Sequence, residues 1–285
     1  MSKRQSVVPL GVAIAQAPIP AGPYLFAGDL FAGITAVADN GYAGVELSLV
    51  DSRRLDRAAV AAAVRNLGMR VFAIATGLSS TLEGISLFAE SADRRRAAVE
   101  RMMGHIDFAA KLSCPVIIGG IRGRISSASP STTDVVRAGM STVAECLDYA
   151  RHAGVAMLLE PINRYETNIV NTAADGARMI RELGDPSVKL LLDTFHMNIE
   201  EQSIEGSIAA AGVSVGYLHF ADSNRHAPGW GHIDFSSVLL SMERAGVRVD
   251  MTIEALPVPS GVEAAKQALE HITRLFSTFT KSECS

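Results

Sequence analysis

The amino-acid sequence predicts an α/β protein, a single (β/α)8 TIM barrel with a parallel eight-stranded core. Eight short apolar runs alternate with helical stretches along the chain, and parallel strands need such crossover connections. The length of 285 residues fits this barrel, which typically takes roughly 250. The rival fold is a doubly wound open sheet, but residues 16–22, after the first run, contain no Gly-x-Gly-x-x-Gly turn. We therefore expect the closed barrel and no nucleotide cofactor.

The predicted strands are dominated by Val, Ile, Leu and Ala, as in sheets that are buried on both faces. In chain order they cover residues 11–16, 43–48, 70–75, 115–119, 155–160, 188–193, 215–220 and 249–254. Helical spacing of apolar residues predicts helices over 56–67, 93–112, 132–152, 172–183, 235–245 and 262–276. Several of these helices are followed by a glycine, the usual left-handed stop, at Gly68, Gly154, Gly184 and Gly246. No Gly/Ser linker or charge block divides the chain, so residues 1–285 are expected to form one domain.

The last four predicted strands carry an acid or an imidazole at their carboxyl ends. These residues are Glu160, Asp193, His219 and Glu254. Active sites of such barrels lie at the carboxyl ends of the strands, so the four side chains are expected to converge on one mouth. A lone acid there is commonly a helix cap or a surface ion pair, and a lone histidine is commonly a core residue. Four together would repel one another and lose hydration unless a cation lies among them.

A divalent cation is therefore expected at the carboxyl ends of the fifth to eighth strands. Mainly oxygen ligands with one imidazole suit Mn²⁺, Mg²⁺ or Co²⁺ better than a metal that prefers thiolates. The ligand types do not choose among these three ions; Mn²⁺ is the one we expect, as a single ion, with Mg²⁺ and Co²⁺ as alternatives. Glu46, at the end of the second predicted strand, either joins this rim or pairs with Arg53 or Arg54.

Four ordered motifs extend from these strand ends. They read Glu-Pro-Ile-Asn-Arg-Tyr-Glu-Thr from residue 160, Leu-Asp-Thr-Phe-His-Met-Asn from 192, His-Phe-Ala-Asp-Ser-Asn-Arg from 219 with Pro-Gly-Trp-Gly-His-Ile-Asp from 228, and Thr-Ile-Glu from 252. This set resembles the xylose-isomerase-like sugar isomerase/epimerase superfamily, and within it the ketose 3-epimerases of the D-tagatose and D-psicose group. The resemblance covers the C-terminal half motif by motif, and the N-terminal half only through its barrel pattern.

The resemblance implies a role for each motif residue. One divalent metal would be held by Glu160, Asp193, His219 and Glu254, and Glu160 and Glu254 would also be the acid/base pair. Substrate contacts are implied for Glu166, His196 and Arg225. The alternative for Glu166 is an ion pair with Arg164 on a solvated loop. For His196 the alternative is a helix cap, and for Arg225 an ordinary loop cation.

The activity implied by the resemblance is a metal-dependent interconversion of C3 epimers of a ketose or keto sugar acid, through a metal-bound cis-enediolate. One base cannot easily reach both faces of a carbon, so two glutamates would divide proton removal and return. An aldose–ketose isomerase, similar to hydroxypyruvate or xylose isomerase, would use the same metal and acid/base residues on C1 and C2. Endonuclease IV belongs to the same superfamily, but its three zinc ions need more strand-end imidazoles than this chain supplies. Three of the seven histidines, His105, His152 and His271, fall within predicted helices.

Two loops bear on the substrate class. Arg122 and Arg124 follow the fourth predicted strand and would hold a carboxylate or phosphate, which would make a keto sugar acid a substrate. The alternative is a pair of solvated surface arginines. The loop 17–24 contains three prolines and is either a stiff wall of the pocket or a mere connector.

Composition limits the partners and the compartment. The formal charge of −4, with no basic tail, argues against a nucleic-acid partner, and no apolar stretch approaches the roughly 20 residues of a membrane span. Three cysteines without a Cys-x-x-Cys pair, Cys114, Cys146 and Cys284, argue against a disulfide framework and favour the cytoplasm. Lys3 and Arg4 before an apolar stretch resemble the start of a signal peptide, but Pro9 interrupts that stretch. The family resemblance implies a homo-oligomer, a dimer or tetramer, acting on a small sugar.

Overall fold

The computed structural model of the chain describes residues 10–282, and its strands form one closed parallel barrel. Residues Lys3, Arg4, Pro9 and Cys284, used in the sequence analysis, lie outside the described residues. Every pairing is parallel, and β1 pairs with both β3 and β9, which closes the sheet. The strands are β1 Leu10–Ala15, β2 Phe26–Ala27, β3 Gly44–Ser48, β4 Arg70–Ala75, β5 Val116–Ile118, β6 Met157–Leu159, β7 Lys189–Asp193, β8 Val215–Phe220 and β9 Asp250–Ile253.

The eight predicted strands are confirmed, and the short β2 is an addition that pairs outside β1. Strands β6 and β9 end one residue earlier than predicted, just before Glu160 and Glu254. The backbone ladder nevertheless continues through both residues. The Glu160 N–H donates to the Ile118 carbonyl at 3.2 Å, and the Glu254 N–H donates to the Phe220 carbonyl at 3.2 Å. Both glutamates are thus placed by sheet hydrogen bonds.

The six predicted helices are also confirmed, and the described residues contain four further α-helices that were not predicted. The helices are α1 Leu30–Asp39, α2 Arg57–Asn66, α3 Gly77–Glu83, α4 Ala92–Leu112, α5 Thr132–Ala153, α6 Ala173–Leu183, α7 Thr194–Glu200, α8 Ile204–Ala211, α9 Phe235–Arg244 and α10 Gly261–Ser282. Gly154 and Gly184 end α5 and α6 with φ of 69° and 67°, the left-handed conformation expected of them. Within residues 10–282, no helix combines the length and the apolar character needed to cross a membrane.

Alternate residues of the strands build two apolar layers. Outward residues pack against the helices, while a smaller cluster fills the barrel interior, including Phe72, Ile117, Leu158, Leu191 and Tyr217. A Cβ on Gly44 would lie 2.1 Å from the Phe72 ring, so the glycine leaves the space that this ring occupies. The interior is therefore packed with side chains below the level of the polar strand ends.

Candidate active site

Four side chains from four consecutive strand ends meet at one mouth of the barrel. Glu160 follows β6, Asp193 ends β7, His219 lies in β8 and Glu254 follows β9. One potential ligand atom of each lies within 4.8 Å of the corresponding atoms of the other three, and all four residues are buried. The convergence follows from the parallel sheet, because the carboxyl ends of neighbouring strands share one edge.

The hydrogen bonding of this group leaves two polar atoms without a partner. The Phe195 N–H donates to Asp193 Oδ1 at 2.8 Å, whereas the buried Asp193 Oδ2 and His219 Nδ1 have no hydrogen-bond partner. His219 Nδ1 lies 3.5 Å from Glu160 Oε1 and 3.6 Å from Glu254 Oε2. Buried polar atoms are rarely left unsatisfied. Three carboxylates and one imidazole nitrogen therefore fit a hard divalent cation between them.

The charges of the group strongly perturb its proton affinities. Burial raises the pKa of Glu254 to about 8, although His219 and Arg225 lower it. Burial likewise raises the pKa of Asp193 to about 6, against the opposing charges of Arg225 and His219. Burial alone would lower the pKa of His219, but the charges of Glu46 and Glu254 outweigh it and raise it well above its ordinary value.

Glu46 has neither of the positions proposed for it from the sequence. It is fully buried in the barrel interior, and its Oε2 lies 2.7 Å from His219 Nε2. Arg53 and Arg54 contact Asp51 instead. Glu46 thus contacts the back of one ligand and does not join the group of four. The sequence cannot show this contact, because β3 and β8 are not neighbours in the barrel.

Arg225, in the loop after β8, contacts two glutamates of the site and the ring of Phe195. Its Nη2 donates to Glu254 Oε2 at 2.8 Å, its Nη1 donates to Glu166 Oε1 at 3.2 Å, and its guanidinium lies 4.6 Å from the centre of the Phe195 ring. Burial lowers the pKa of Arg225, but the charge of Glu254 outweighs this and raises it above its ordinary value. The buried Asp222 carboxylate holds the loop by accepting hydrogen bonds from the backbone N–H groups of Gly229 and Ile233.

Asn163, which the sequence analysis did not single out, sets the orientation of His196. The Asn163 Nδ2 donates to Glu166 Oε1 at 2.9 Å and to His196 Nδ1 at 2.8 Å, while its Oδ1 accepts the Tyr165 N–H at 3.0 Å. A carboxylate only accepts and an N–H only donates, so the amide has one orientation. His196 consequently carries its proton on Nε2, 3.5 Å from Asp193 Oδ2. The only sequence signal for Asn163 was its place in the motif after Glu160.

The alternatives considered for these residues are not what the structure shows. Arg164 pairs with Glu200 at 2.8 Å, and Glu166 contacts Arg225 instead. The side chain that caps α7 is Asp193, while His196 lies within the helix. Glu166, His196 and Arg225 all line one cavity together with Glu160, His219 and Glu254.

This cavity has a volume of about 360 Å³, a size that a small molecule can fill. Part of its wall is the loop after β1, through Ile19, Ala21, Pro23 and Tyr24, so this loop is more than a connector. Another part is bare backbone, at Gly77, Gly119 and Gly120. A Cβ on Gly119 would lie 2.2 Å from Glu160 Oε2, so only glycine leaves that carboxylate in place.

The structure corrects the anion-binding role expected of Arg122 and Arg124. Arg122 is 1% exposed, and its guanidinium donates to the carbonyls of Ile118 and Glu160 from beneath the site. Burial lowers the pKa of Arg122 to about 10 despite the charge of Glu160. Arg124 donates to the carbonyl of Arg164 at 3.0 Å on the surface. Among the described residues that line the cavity, neither arginine is present.

The fold and this site together define a class: a parallel (β/α)8 barrel with a candidate divalent-metal centre at the carboxyl ends of its strands. Among residues 10–282, the four side chains are the one group of three or more acids, histidines or cysteines with such spacing. The chain belongs to the xylose isomerase-like TIM barrel family, whose model matches residues 34–275.

Relatives with assigned activities are epimerases. The L-ribulose 3-epimerase of Methylomonas sp. is 30% identical over 227 residues, 78% of this chain and 77% of the relative. The L-ribulose 3-epimerase of Mesorhizobium japonicum is 31% identical over 221 residues, 75% of this chain and 71% of the relative. A solved structure of an L-ribulose 3-epimerase matches with a TM-score of 0.80 and 25% identity, covering 96% of this chain and 97% of that one. The chain is accordingly an enzyme of the isomerase class.

Proposed function

We propose that this protein is a divalent-metal-dependent ketose 3-epimerase with Mn²⁺ as its metal. The observation that carries the proposal is the pair of buried glutamates, Glu160 and Glu254, in one cavity around a four-ligand centre. They follow β6 and β9, which are separated by two strands in the barrel. They consequently approach the centre from different sides, as removal and return of one proton on opposite faces of a carbon requires. The relatives named as L-ribulose 3-epimerases support the same activity.

In this proposal each residue has a separate task. Glu160 and Glu254 exchange the C3 proton, one removing it and the other returning a proton on the opposite face. Arg225 holds Glu254 by one carboxylate oxygen. The His196 Nε2–H and the Arg225 guanidinium donate to the substrate oxygens beside the reacting carbon, where negative charge develops. When bound, the cation held by Glu160, Asp193, His219 and Glu254 supplies Lewis-acid stabilisation of that charge.

The substrate of the proposed reaction is a neutral ketose in preference to a keto sugar acid. Among the described residues lining the cavity, Arg225 is the one arginine or lysine, and it already contacts Glu166 and Glu254. Other parts of the wall are apolar side chains such as Ile19 and Pro23 and bare glycine backbone. A second anionic group would therefore lose hydration without gaining a free cation.

Isotope exchange tests this function and separates it from an aldose–ketose isomerase. The Mn²⁺-loaded protein is incubated in deuterated water with a panel of ketoses and keto acids. We expect deuterium at C3 of a neutral ketose. Deuterium at C1 or C2 instead would show the isomerase, and no exchange by the folded, metal-loaded protein would contradict both activities.

Glu254→Gln tests the role of one glutamate in the same assay. We expect loss of C3 exchange, because an amide cannot take up the proton, while the circular dichroism spectrum stays unchanged. Glu243→Gln, on the exposed side of α9, is the matched control and should retain full exchange. Exchange at the unmodified rate in Glu254→Gln would remove this residue from the mechanism.

A further inference from the structure

We propose that Glu46 is a positioning residue of the metal centre, and that its carboxylate holds the His219 ring with Nδ1 facing the three acidic ligands. The inference rests on the metal centre of the proposed function, but it does not depend on which sugar is the substrate. Glu46 neither lines the cavity nor belongs to the group of four, so it acts through its contact with His219.

The contact between the two side chains settles which nitrogen faces the ligands. His219 Nε2 lies 2.7 Å from Glu46 Oε2, while Nδ1 is the buried nitrogen without a partner beside Glu160 and Glu254. A carboxylate can only accept, so Nε2 carries the hydrogen. Nδ1 of the neutral ring then offers a lone pair to the metal position. Ligating histidines in proteins are commonly oriented by such a carboxylate behind the ring.

The strands on both sides of Glu46 leave space for its side chain. Strand β3 pairs regularly with β1 through Glu46, and its pairing with β4 shifts register there because Phe72 of β4 has no partner on β3. The residues paired with Glu46 are Ala13 on β1 and Ala73 on β4. These small side chains leave room for Glu46 to extend through the interior toward β8. A packing role alone would not need a carboxylate at this place.

Burying the Glu46 carboxylate costs free energy unless its contact with His219 offsets that cost. It is 0% exposed, its Oε1 has no hydrogen-bond partner, and the interior beside it offers uncharged groups such as Tyr217. Within residues 10–282, the one charge-bearing partner within ion-pair distance of Glu46 is His219. A buried carboxylate without a positive partner is strongly unfavourable. A cation on Nδ1 would polarise the His219 ring. The more positive Nε2–H would then offset the cost of burying the Glu46 carboxylate.

Metal titration in the absence of sugar tests the proposal. Binding of Mn²⁺, Mg²⁺ and Co²⁺ is measured by isothermal calorimetry for the unmodified protein, Glu46→Gln and Glu46→Ala. We expect Glu46→Ala to raise the metal Kd by about 10- to 100-fold, the usual cost of losing such a partner. Glu46→Gln should fall in between, because its amide oxygen still accepts the Nε2–H. An unchanged Kd in folded Glu46→Ala would overturn the proposal, as would a lack of metal binding by the unmodified protein.

Asp51→Asn is the matched control, since it also removes a buried carboxylate from the segment around β3 but one that pairs with arginines. Its metal Kd should stay within about two-fold of the unmodified value, because distant sites act independently.

A second readout uses the unmodified protein. In the Mg²⁺-loaded protein, ¹⁵N NMR should show His219 as the Nε2–H form, and an Nδ1–H form would contradict the proposal. Failure of the sugar-exchange assay would leave both results unaffected.

Discussion

The partner of each buried carboxylate decides what that residue does. Glu160 and Glu254 belong to the candidate metal-binding group, Glu46 contacts the imidazole of His219, and Asp51 contacts arginines outside the barrel. All four are acids that follow or lie in strands, so residue type and sequence position alone do not separate them. Strand-end position predicted all four members of the group, because the ends of parallel strands meet. The contacts of Glu46 with His219 and of Asn163 with His196 could not be predicted, because these partners lie on elements distant in the chain.

Asp51 gives a prediction about the pH dependence of stability. Burial alone would raise its pKa, but the hydrogen bonds from Arg53 and the charge of Arg101 outweigh it and lower it to about 2. Because the folded-state pKa lies below the unfolded value, the stabilisation is fully present above about pH 4 and is lost as the pH falls toward 2. We expect Asp51→Asn to lower the free energy of unfolding by about 2 kcal/mol at pH 7 and by progressively less below pH 4.

Urea unfolding at pH values between 3 and 7 measures this effect. Asp39→Asn, at the exposed end of α1, is the control for the loss of one negative charge and should change stability by less than about 0.5 kcal/mol. A loss in Asp51→Asn that is equal at every pH would show that the charge of this carboxylate does not stabilise the fold.

At the scale of elements, the loops after three strands form the site by binding to one another. Asn163 after β6 contacts His196 in α7, and Glu166 contacts Arg225 after β8. Arg164 and Glu200 add an ion pair between the first two of these segments. Helix α7 has only seven residues, which is too short for a helical period to show in the sequence. The barrel and its longer helices are visible as repeated patterns, whereas this loop assembly depends on individual side-chain contacts.

Arg122 is a residue whose place in the chain was predicted correctly but whose side-chain direction was not. Its place after a barrel strand suggested a ligand-binding cation, since loops at this end carry function. The chain instead turns through Gly119 and Gly120 and folds the arginine under the sheet end, where two carbonyls accept its hydrogen bonds. The position along the chain was right for a rim loop, but the direction of the side chain depends on a backbone turn that composition does not encode.

The turn at Gly119 gives a prediction at this scale. In Gly119→Ala the new methyl group would overlap Glu160 Oε2, so the carboxylate must move away from the centre. A displacement of about 1 Å at reacting groups can cost roughly 100-fold in rate, and we expect kcat/KM to fall by about that factor. Steady-state kinetics on the ketose identified by isotope exchange measures it.

Gly77→Ala provides the control on the same cavity wall. Its Cβ would meet nothing closer than the Gly120 Cα at 3.9 Å, an ordinary van der Waals contact. We expect a change in kcat/KM of less than about five-fold, since no reacting group moves. Equal losses in the two variants would mean that crowding of the cavity, and not displacement of Glu160, lowers the rate.

At the scale of the whole molecule, the proposed metal centre would join strands that are otherwise held by sheet hydrogen bonds and apolar packing. The four side chains that would hold the metal lie at the ends of β6, β7, β8 and β9, half of the barrel. A ligand that binds only the folded state stabilises it, by about 2.7 kcal/mol at 100 times its Kd. For a chain of this size we expect saturating Mn²⁺ to raise Tm by roughly 5 °C.

Differential scanning calorimetry with Mn²⁺ and then with excess chelator measures this shift, which the chelator should reverse. In Asp193→Asn the shift should be lost, because the ligand atom Oδ2 is replaced or turned away. A Tm that rises equally in the unmodified protein and in Asp193→Asn would place the stabilising cation elsewhere.

The pairing of β1 with β9 also determines when the centre can exist during synthesis. Leu10 pairs with Met251, so the barrel stays open until its last strand has left the ribosome. Glu254 is the last of the four ligands to be made, and it follows that strand directly. A nascent chain therefore holds an incomplete donor set throughout most of its translation. A cation held by all four side chains would therefore bind only after the barrel has closed.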